Sequence, residues 1–511
     1  MRLLRSRKFW LILLVSLGLA WRLGRYFLNF PIWGDEAAVG LNILDRSYLG
    51  LLRPLNYVVA CPVGFLWISK WMMAQFGAST FTVRFVPLVA ALASVLLMYP
   101  VARQFAGPWV ALLATGLLAC SLSPARFSND FKPYSIDLLV ALAYTGLGLW
   151  ALRRPRAIAP LLTLILFTPL ATVFSYPSVF VAAAVSLALA VRLWRIRSAS
   201  STVLYLLFSA MWLGCFGLLF FVATGGQLHA THQQGILRAW GIAFPPWNLG
   251  LPWWLIKVQF GNMMSYPMGG EWGIALLISP LCWLGVWRLW RSGRRAELVL
   301  LVAPFLATLA ASSLRDYPYG RDARVEQHLV PSIMLLAPLG FWNLLVFLLR
   351  GSADRRRALQ AAVGSVCAAL VIFAVIAGTM NAYHPWISHR SAQMRTIMRD
   401  IFSHARAATQ IVLLHDPNHY GASEIAWYLQ GWPGAWRVGL PSDQSVLKTL
   451  RPDLWFLNLA YHPVPHLAQR IEQSLTGVGV SLRLLQRYHQ VICTAGTNPP
   501  VYAQTLHFQS R

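Results

Sequence analysis

Runs of about twenty apolar residues recur along this chain of 511 residues, and nothing constrains its fold more. A helix of that length bridges the ~30 Å hydrocarbon core of a bilayer. Inside that core only helices and closed barrels satisfy their own backbone hydrogen bonds. The runs fall near 9–28, 81–102, 108–127, 133–152, 158–174, 176–194, 203–223, 272–290, 297–313, 329–349 and 358–380. Together they predict an α-helical polytopic membrane protein with eleven transmembrane helices. The stretch 56–76 is also apolar, but Pro62 and Lys70 interrupt it, so it reads as a helix lying along the outer interface. Counting it as a span would invert everything after it. Composition agrees: 57% of residues are hydrophobic and 12% charged, against about 25% charged in soluble domains, which excludes a cytosolic enzyme.

The 43 basic residues against 17 acidic ones give a net charge of +26, a balance that by itself suggests nucleic acid. Their positions say otherwise. With the N-terminus inside, the inner segments hold Arg2, Arg5, Arg7 and Lys8, then Arg103, then Arg153, Arg154 and Arg156. They continue with Arg192, Arg195 and Arg197, with Arg288, Arg291, Arg294 and Arg295, and with Arg350, Arg355, Arg356 and Arg357. This is the positive-inside pattern of a plasma-membrane protein, and it removes nucleic acid as a partner. The first span has a basic flank and no small-residue cleavage site, so it reads as a retained anchor. Six cysteines are scattered, mostly through apolar stretches, and read as small buried hydrophobes.

The pattern changes after Asn381. QIVLLH (410–415), LWFLNLA (454–460) and VSLRLLQRYHQVI (480–492) read as strands, and 391–408, 421–430 and 463–475 as helices. The division is therefore a transmembrane domain over 1–380, with a large first outer loop at 29–80, and a C-terminal α/β domain over 381–511. An odd number of spans makes that domain extracytoplasmic.

Of the eleven acids before residue 381, nine fall on the outer side: Asp35, Glu36, Asp45, Asp130, Asp137, Glu271, Asp316, Asp322 and Glu326. Ionisable groups at a membrane are costly and mark function. Asp35-Glu36, in PIWGDEAAVG, suits a general base or a cation ligand, the plain alternative being a solvated pair at a helix N-terminus. SNDFKPYSIDLL brings Asp130, Lys132, Tyr134 and, a turn deeper, Asp137 to a membrane edge, where Lys132 and Tyr134 also suit interface anchoring. LRDYPYGRDARVEQHLVP carries Arg315, Tyr317, Tyr319, Arg321, Arg324 and His328. Its arginines suit a phosphate, or else local pairing with Asp316, Asp322 and Glu326. His229 and His232, in QLHATHQQ, have metal-compatible spacing but no carboxylate alongside, and are minor candidates. The Trp-rich loop 240–272 reads first as a headgroup anchor.

The run DEAAVGLNILDRSYLGLLRPLNYVVACPVGFLWISKWMMAQFGASTFTVRFVPLVAAL resembles the start of bacterial family 39 glycosyltransferases, of the GT-C class. It is similar to the protein O-mannosyltransferases and the lipid A aminoarabinose transferases. SNDFKPYSIDLL and DYPYG…LVPSIMLLAP follow in the order of that family, and the resemblance is strongest over 33–145. It implies an inverting glycosyltransferase that takes a sugar from a polyprenyl-phosphate donor on the outer face of the membrane. It carries the first acid onto Asp35, with Glu36 beside it, and the second onto Asp130 or Asp137; Arg84 also matches. Related lipid A transferases have Glu-Lys before the Pro-X-Gly step, where this chain has Ala60-Cys61. That glutamate belongs to a cation site, so a divalent cation stays open and no other cofactor is implied. The acceptor, whether protein, lipid or glycan, and the sugar are named by no motif. A transporter or flippase of a lipid-linked saccharide is the alternative, weakened by the absence of a sequence repeat.

Overall fold

The computed structural model describes residues 6–383 apart from 58, 195, 197, 234–236, 238–239, 271–272 and 353. Beyond them it describes 389–404, 410–414, 420–430, 436–438, 453–460, 482–492 and 501–510. Helices run in the order α1 (Arg7–Phe27), α2 (Gly34–Asp45), α3 (Val63–Phe76), α4 (Thr80–Phe105), α5 (Pro108–Ala119) and α6 (Leu122–Phe127). They continue with α7 (Tyr134–Arg153), α8 (Ile158–Phe174), α9 (Ser178–Leu193), α10 (Ala199–Leu219), α11 (Gly225–Gln233) and α12 (Leu251–Gln259). Next come α13 (Ala275–Arg291), α14 (Arg295–Ser313), α15 (Val330–Leu348), α16 (Arg355–Tyr383) and α17 (His389–His404). The chain then alternates: β1 (Gln410–Leu414), α18 (Tyr420–Leu429), β2 (Trp436–Val438), β3 (Asp453–Ala460), β4 (Leu482–Ile492) and β5 (Val501–Ser510).

Among the described residues, seven helical stretches are long and apolar enough to cross a membrane: Arg7–Phe27, Thr80–Phe105, Tyr134–Arg153, Ala199–His232, Arg295–Ser313, Gln327–Leu348 and Arg355–Ala382. This is a multi-pass membrane protein. Each of the eleven apolar runs carries a helix, but not each helix has the length of a span. The 12 residues of α5 reach about 18 Å and the 16 of α9 about 24 Å, short of the ~30 Å core. The stretch 56–76 carries α3, which is not among the seven.

One run departs from expectation. Residues 108–127 read as a single span, yet α5 stops at Ala119 and α6 starts afresh at Leu122. The cause is a side chain from α1. The Arg22 guanidinium donates to the carbonyls of Leu118 at 3.2 Å and Ala119 at 3.0 Å, which a continuing helix would need for its next amides. The Leu122 amide turns instead to the Pro267 carbonyl at 2.8 Å, and Pro124 has no amide to offer.

The chain divides into two compact units. The first holds Met1–Asn29, Tyr48–Pro54 and Ala60–His384. Several of its buried hydroxyls bond back to the preceding turn, as from Thr115 to Ala111 and from Thr145 to Ala141, both at 2.8 Å. α13 and α15 cross at glycines. A Cβ on Gly340 would sit 1.9 Å from the Leu281 carbonyl oxygen, and one on Gly285 2.3 Å from that of Leu336. Both obstacles are backbone and cannot step aside.

The second unit holds Phe30–Ser47, Leu55–Val59 and Pro385–Arg511. Its five strands lie in the order β2-β1-β3-β5-β4, with β1 parallel to β2 and β3, and β5 antiparallel to β3 and β4. β2 and β5 lie where the sequence pattern marks no strand, and the helix read at 463–475 falls outside the described residues. α2 is built into this unit. The Ser423 hydroxyl donates to the Gly34 carbonyl at 3.1 Å, and a Cβ on Gly40 would meet the Trp427 ring at 2.2 Å.

The α13–α15 crossing predicts that Gly340→Ala destabilises the folded protein by about 1–3 kcal/mol, the usual range for an overpacked contact. Thermal unfolding in detergent should show a lowered midpoint. Gly351→Ala, at a position with nothing within 4 Å of the added methyl, should leave it unchanged.

Candidate functional site

Asp35 and Glu36 share the first turn of α2 but do different things. Glu36 is fully buried, and its Oε2 accepts the Trp33 amide at 3.2 Å, closing the helix N-terminus in the manner of a capping box. Asp35, one residue earlier and so about 100° around the helix, is half-buried. Glu36 is thus occupied in holding the turn that presents Asp35. The turn is further tied down through Asn42, whose side chain bonds the Asn56 carbonyl at 3.1 Å and the Asn56 amide at 2.9 Å.

The other candidates belong to the first unit. Around the break between α5 and α6, Arg25 lies within electrostatic reach of Asp130, Arg126 and Arg84. Arg25, Arg84, Asp130 and Lys132 are all buried. Three guanidiniums gather on one carboxylate, so the cluster carries an excess of positive charge in a low-dielectric place, where an anion is strongly favoured. The Lys132 amide donates to the Asp130 carbonyl at 2.7 Å, fixing the turn that ends in α7, and Tyr134 packs edge-on against Phe127 at 5.4 Å. The first unit also holds an apolar groove of about 360 Å³, lined by Leu117, Pro267, Leu281, Phe341 and Phe373 among others. Leu117 directly precedes Leu118, whose carbonyl takes the Arg22 guanidinium.

Asp137 is a turn deeper and accepts the Ser175 hydroxyl at 2.7 Å. The next residue, Tyr176, directs its single phenol hydrogen between the Cys61 carbonyl at 2.7 Å and Gln227 Oε1 at 2.9 Å. Gln227 Oε1 also takes the Cys61 amide at 3.0 Å. The start of α3 is pressed on the second cluster as well, Phe65 against Phe131 at 5.5 Å. A polar chain therefore runs from Asp137 through Ser175 and Tyr176 to the segment before Pro62. The residues here do not fit a cation. Ala60 offers no ligand, Cys61 is held through its backbone, and among the described residues no three His, Cys, Asp or Glu side chains come together. His229 is exposed and His232 half-buried on α11, with no such group around them.

The third cluster is largely absorbed by its neighbours. Arg321 and Arg324 both lie over the Trp240 ring, at 5.5 and 5.1 Å, and Arg324 pairs with Asp322 at 2.9 Å. Tyr317 donates to the Val325 carbonyl at 2.6 Å and packs with Phe180 and His328. His328 is buried with Nε2 2.8 Å from the Thr308 hydroxyl. Glu326 is buried beneath this loop and accepts the Gly320 amide. Burial pushes its carboxyl up to about 8 from an ordinary value of 4.5, the Gly320 bond opposing and Asp322 assisting. Burial likewise raises the neighbouring phenols of Tyr266 and Tyr319. Glu271 lies outside the described residues.

Sequence reasoning passes over Arg25, Arg126, Ser175, Tyr176 and Gln227. Two arginines inside the first apolar run, Arg22 and Arg25, are the signal that points to the cluster, because a span rarely carries charge without use.

Glu326 makes the folded protein sensitive to pH. Its neutral form persists in the fold up to about 8, whereas an unfolded chain ionises near 4.5. The stability it contributes is complete below that lower value and is lost as pH rises towards the upper one. The unfolding midpoint of Glu326→Gln should therefore fall less than that of the unaltered protein between those two values. Parallel pH profiles would contradict this.

No protein-family model and no curated protein sequence matches the chain. Among solved structures it is similar to ArnT from Cupriavidus metallidurans bound to undecaprenyl phosphate. The identity is 12% and the TM-score 0.57, covering 98% of this chain and 98% of that one. The apo state of the same ArnT matches with the same identity and TM-score over 97% of each chain. The apo oligosaccharyltransferase of Archaeoglobus fulgidus follows at 11% identity and a TM-score of 0.48, over 94% of this chain and 69% of that one. The fold is thus that of the GT-C glycosyltransferases, as the sequence resemblance implies.

Proposed function

From a GT-C fold as premise, we propose that the protein is an inverting glycosyltransferase that moves a sugar from a polyprenyl-phosphate donor to an envelope acceptor on the outer face of the membrane. The observation that carries this reading is that the first unit holds both an apolar groove and a cluster of arginines around Arg25. A polyprenyl phosphate has that same division, a long hydrocarbon tail and a small anionic head. The ArnT that shares this fold was solved with undecaprenyl phosphate bound, which supports the same ligand class here.

In this reading Asp35, the half-buried member of its pair, takes the proton of the acceptor hydroxyl. The acceptor oxygen then bonds to the anomeric carbon as the bond from that carbon to the phosphate oxygen breaks. The electron pair leaves with the phosphate, and one displacement inverts the centre. Arg84, Arg25 and Arg126 stabilise the departing phosphate, with Asp130 holding the arginines in register. Lys132 serves the same phosphate. Asp137 acts through Ser175 as a positioning group. The C-terminal segment is the extracytoplasmic α/β domain, and the membrane is the cell's plasma (inner) membrane. Arg321, Arg324, Tyr317, Tyr134 and His328 shape the surrounding loop.

Asp35→Asn should keep expression and thermal stability while abolishing transfer; retained activity would remove Asp35 as base. Arg84→Gln should weaken binding of undecaprenyl phosphate at least about tenfold, the loss of one charge-assisted hydrogen bond. Mass spectrometry of envelope glycans from cells lacking the gene should reveal one missing sugar and its carrier. An unchanged profile would favour the transporter reading.

A further inference from the structure

Gln227 has a buried amide whose orientation is set and whose donor side is unused. Its side chain is 1% exposed. The Cys61 amide is a donor and must meet the oxygen of the carboxamide, so Oε1 faces Cys61 and Tyr176, and Nε2 points the other way. That Nε2 has no hydrogen-bond partner among the described residues. A stranded donor costs about 1–3 kcal/mol, and folded proteins leave few of them without a reason.

The surroundings say what would meet it. The single Tyr176 phenol hydrogen is shared between the Cys61 carbonyl and Gln227 Oε1, and Oε1 also takes the Cys61 amide. Local acceptors are in use, and what remains on offer is an N–H. Such a site selects a group that only accepts, which is the character of a phosphoryl oxygen rather than of a sugar hydroxyl. Gln227 also lies three residues past a π-turn at Phe220–Thr224, an irregularity that helices carry often at functional positions. Through Tyr176 and Ser175 it is continuous with Asp137.

Resting on the glycosyltransferase reading above, we propose that the Gln227 carboxamide is a substrate-binding group, donating from Nε2 to a phosphoryl oxygen of the polyprenyl-phosphate donor. A neutral amide thereby recognises the phosphate beside Pro62.

Gln227→Glu separates this role from a merely structural one, because a glutamate keeps both acceptor bonds to Cys61 and Tyr176 and loses only the donor. The purified full-length protein in detergent should bind undecaprenyl phosphate at least about tenfold more weakly as Gln227→Glu, with its ligand-free unfolding midpoint retained. Affinity equal to that of the unaltered protein would overturn the proposal. Should the buried carboxylate prevent folding, the unaltered protein decides: a cryo-EM map with undecaprenyl phosphate must show a phosphoryl oxygen within hydrogen-bond distance of Nε2. A phosphate bound elsewhere overturns the assignment of Gln227 and leaves the donor class intact. Failure of the unaltered protein to bind undecaprenyl phosphate at all refutes both readings together.

Discussion

The Arg22 guanidinium, buried in α1 and bonded to two carbonyls at the end of α5, is the interaction on which the first unit's chemistry depends. A charge removed from water must find partners, and the carbonyls at a helix C-terminus are suited to a cation. By taking those carbonyls, Arg22 ends the helix early. The chain is freed to form the irregular stretch between α5 and α7, and this stretch carries Asp130 and Lys132 into buried positions and Arg126 into a half-buried one. A continuous span over 108–127 would have aimed these groups around a helix barrel, some of them into lipid.

Legibility in the sequence followed the range of the forces involved. Apolar runs are local, and each of the eleven contains a helix. Helix lengths were less legible, because the stop at Ala119 depends on a residue 97 positions away. The motif residues at 33–145 stood out by type. Their division of labour did not: Asp35 and Glu36 look equivalent in a string of letters, and only the first turn of a helix sets one inward as a cap. Arg321 and Arg324 were legible as cations, but their shared indole lies some eighty residues earlier, in a loop whose tryptophans suggested anchoring. Gln227 was the least visible, an uncharged side chain whose meaning lies in which of its two atoms is already engaged.

The two readings of this site differ in how charge is managed. A cation bound at the first outer loop would supply concentrated positive charge. In the proposed reading guanidiniums and an amide do this work, groups that spread the charge and offer directional donors. Preorganised donors need no reorganisation as charge develops on a leaving phosphate. In that reading the acids, few and mostly on one side in the sequence, serve as base and as counter-charges.

The close fit of Gly40 against Trp427 has an evolutionary consequence. The helix that begins with Asp35-Glu36 rests on an indole more than 380 residues downstream, so the two ends of the gene are not independent. Related sequences should show the pair drifting jointly, a bulkier residue at the glycine position accompanied by a smaller one in place of the tryptophan. Chimaeras that exchange only the C-terminal segment between relatives should inherit a mismatched seat for the motif helix.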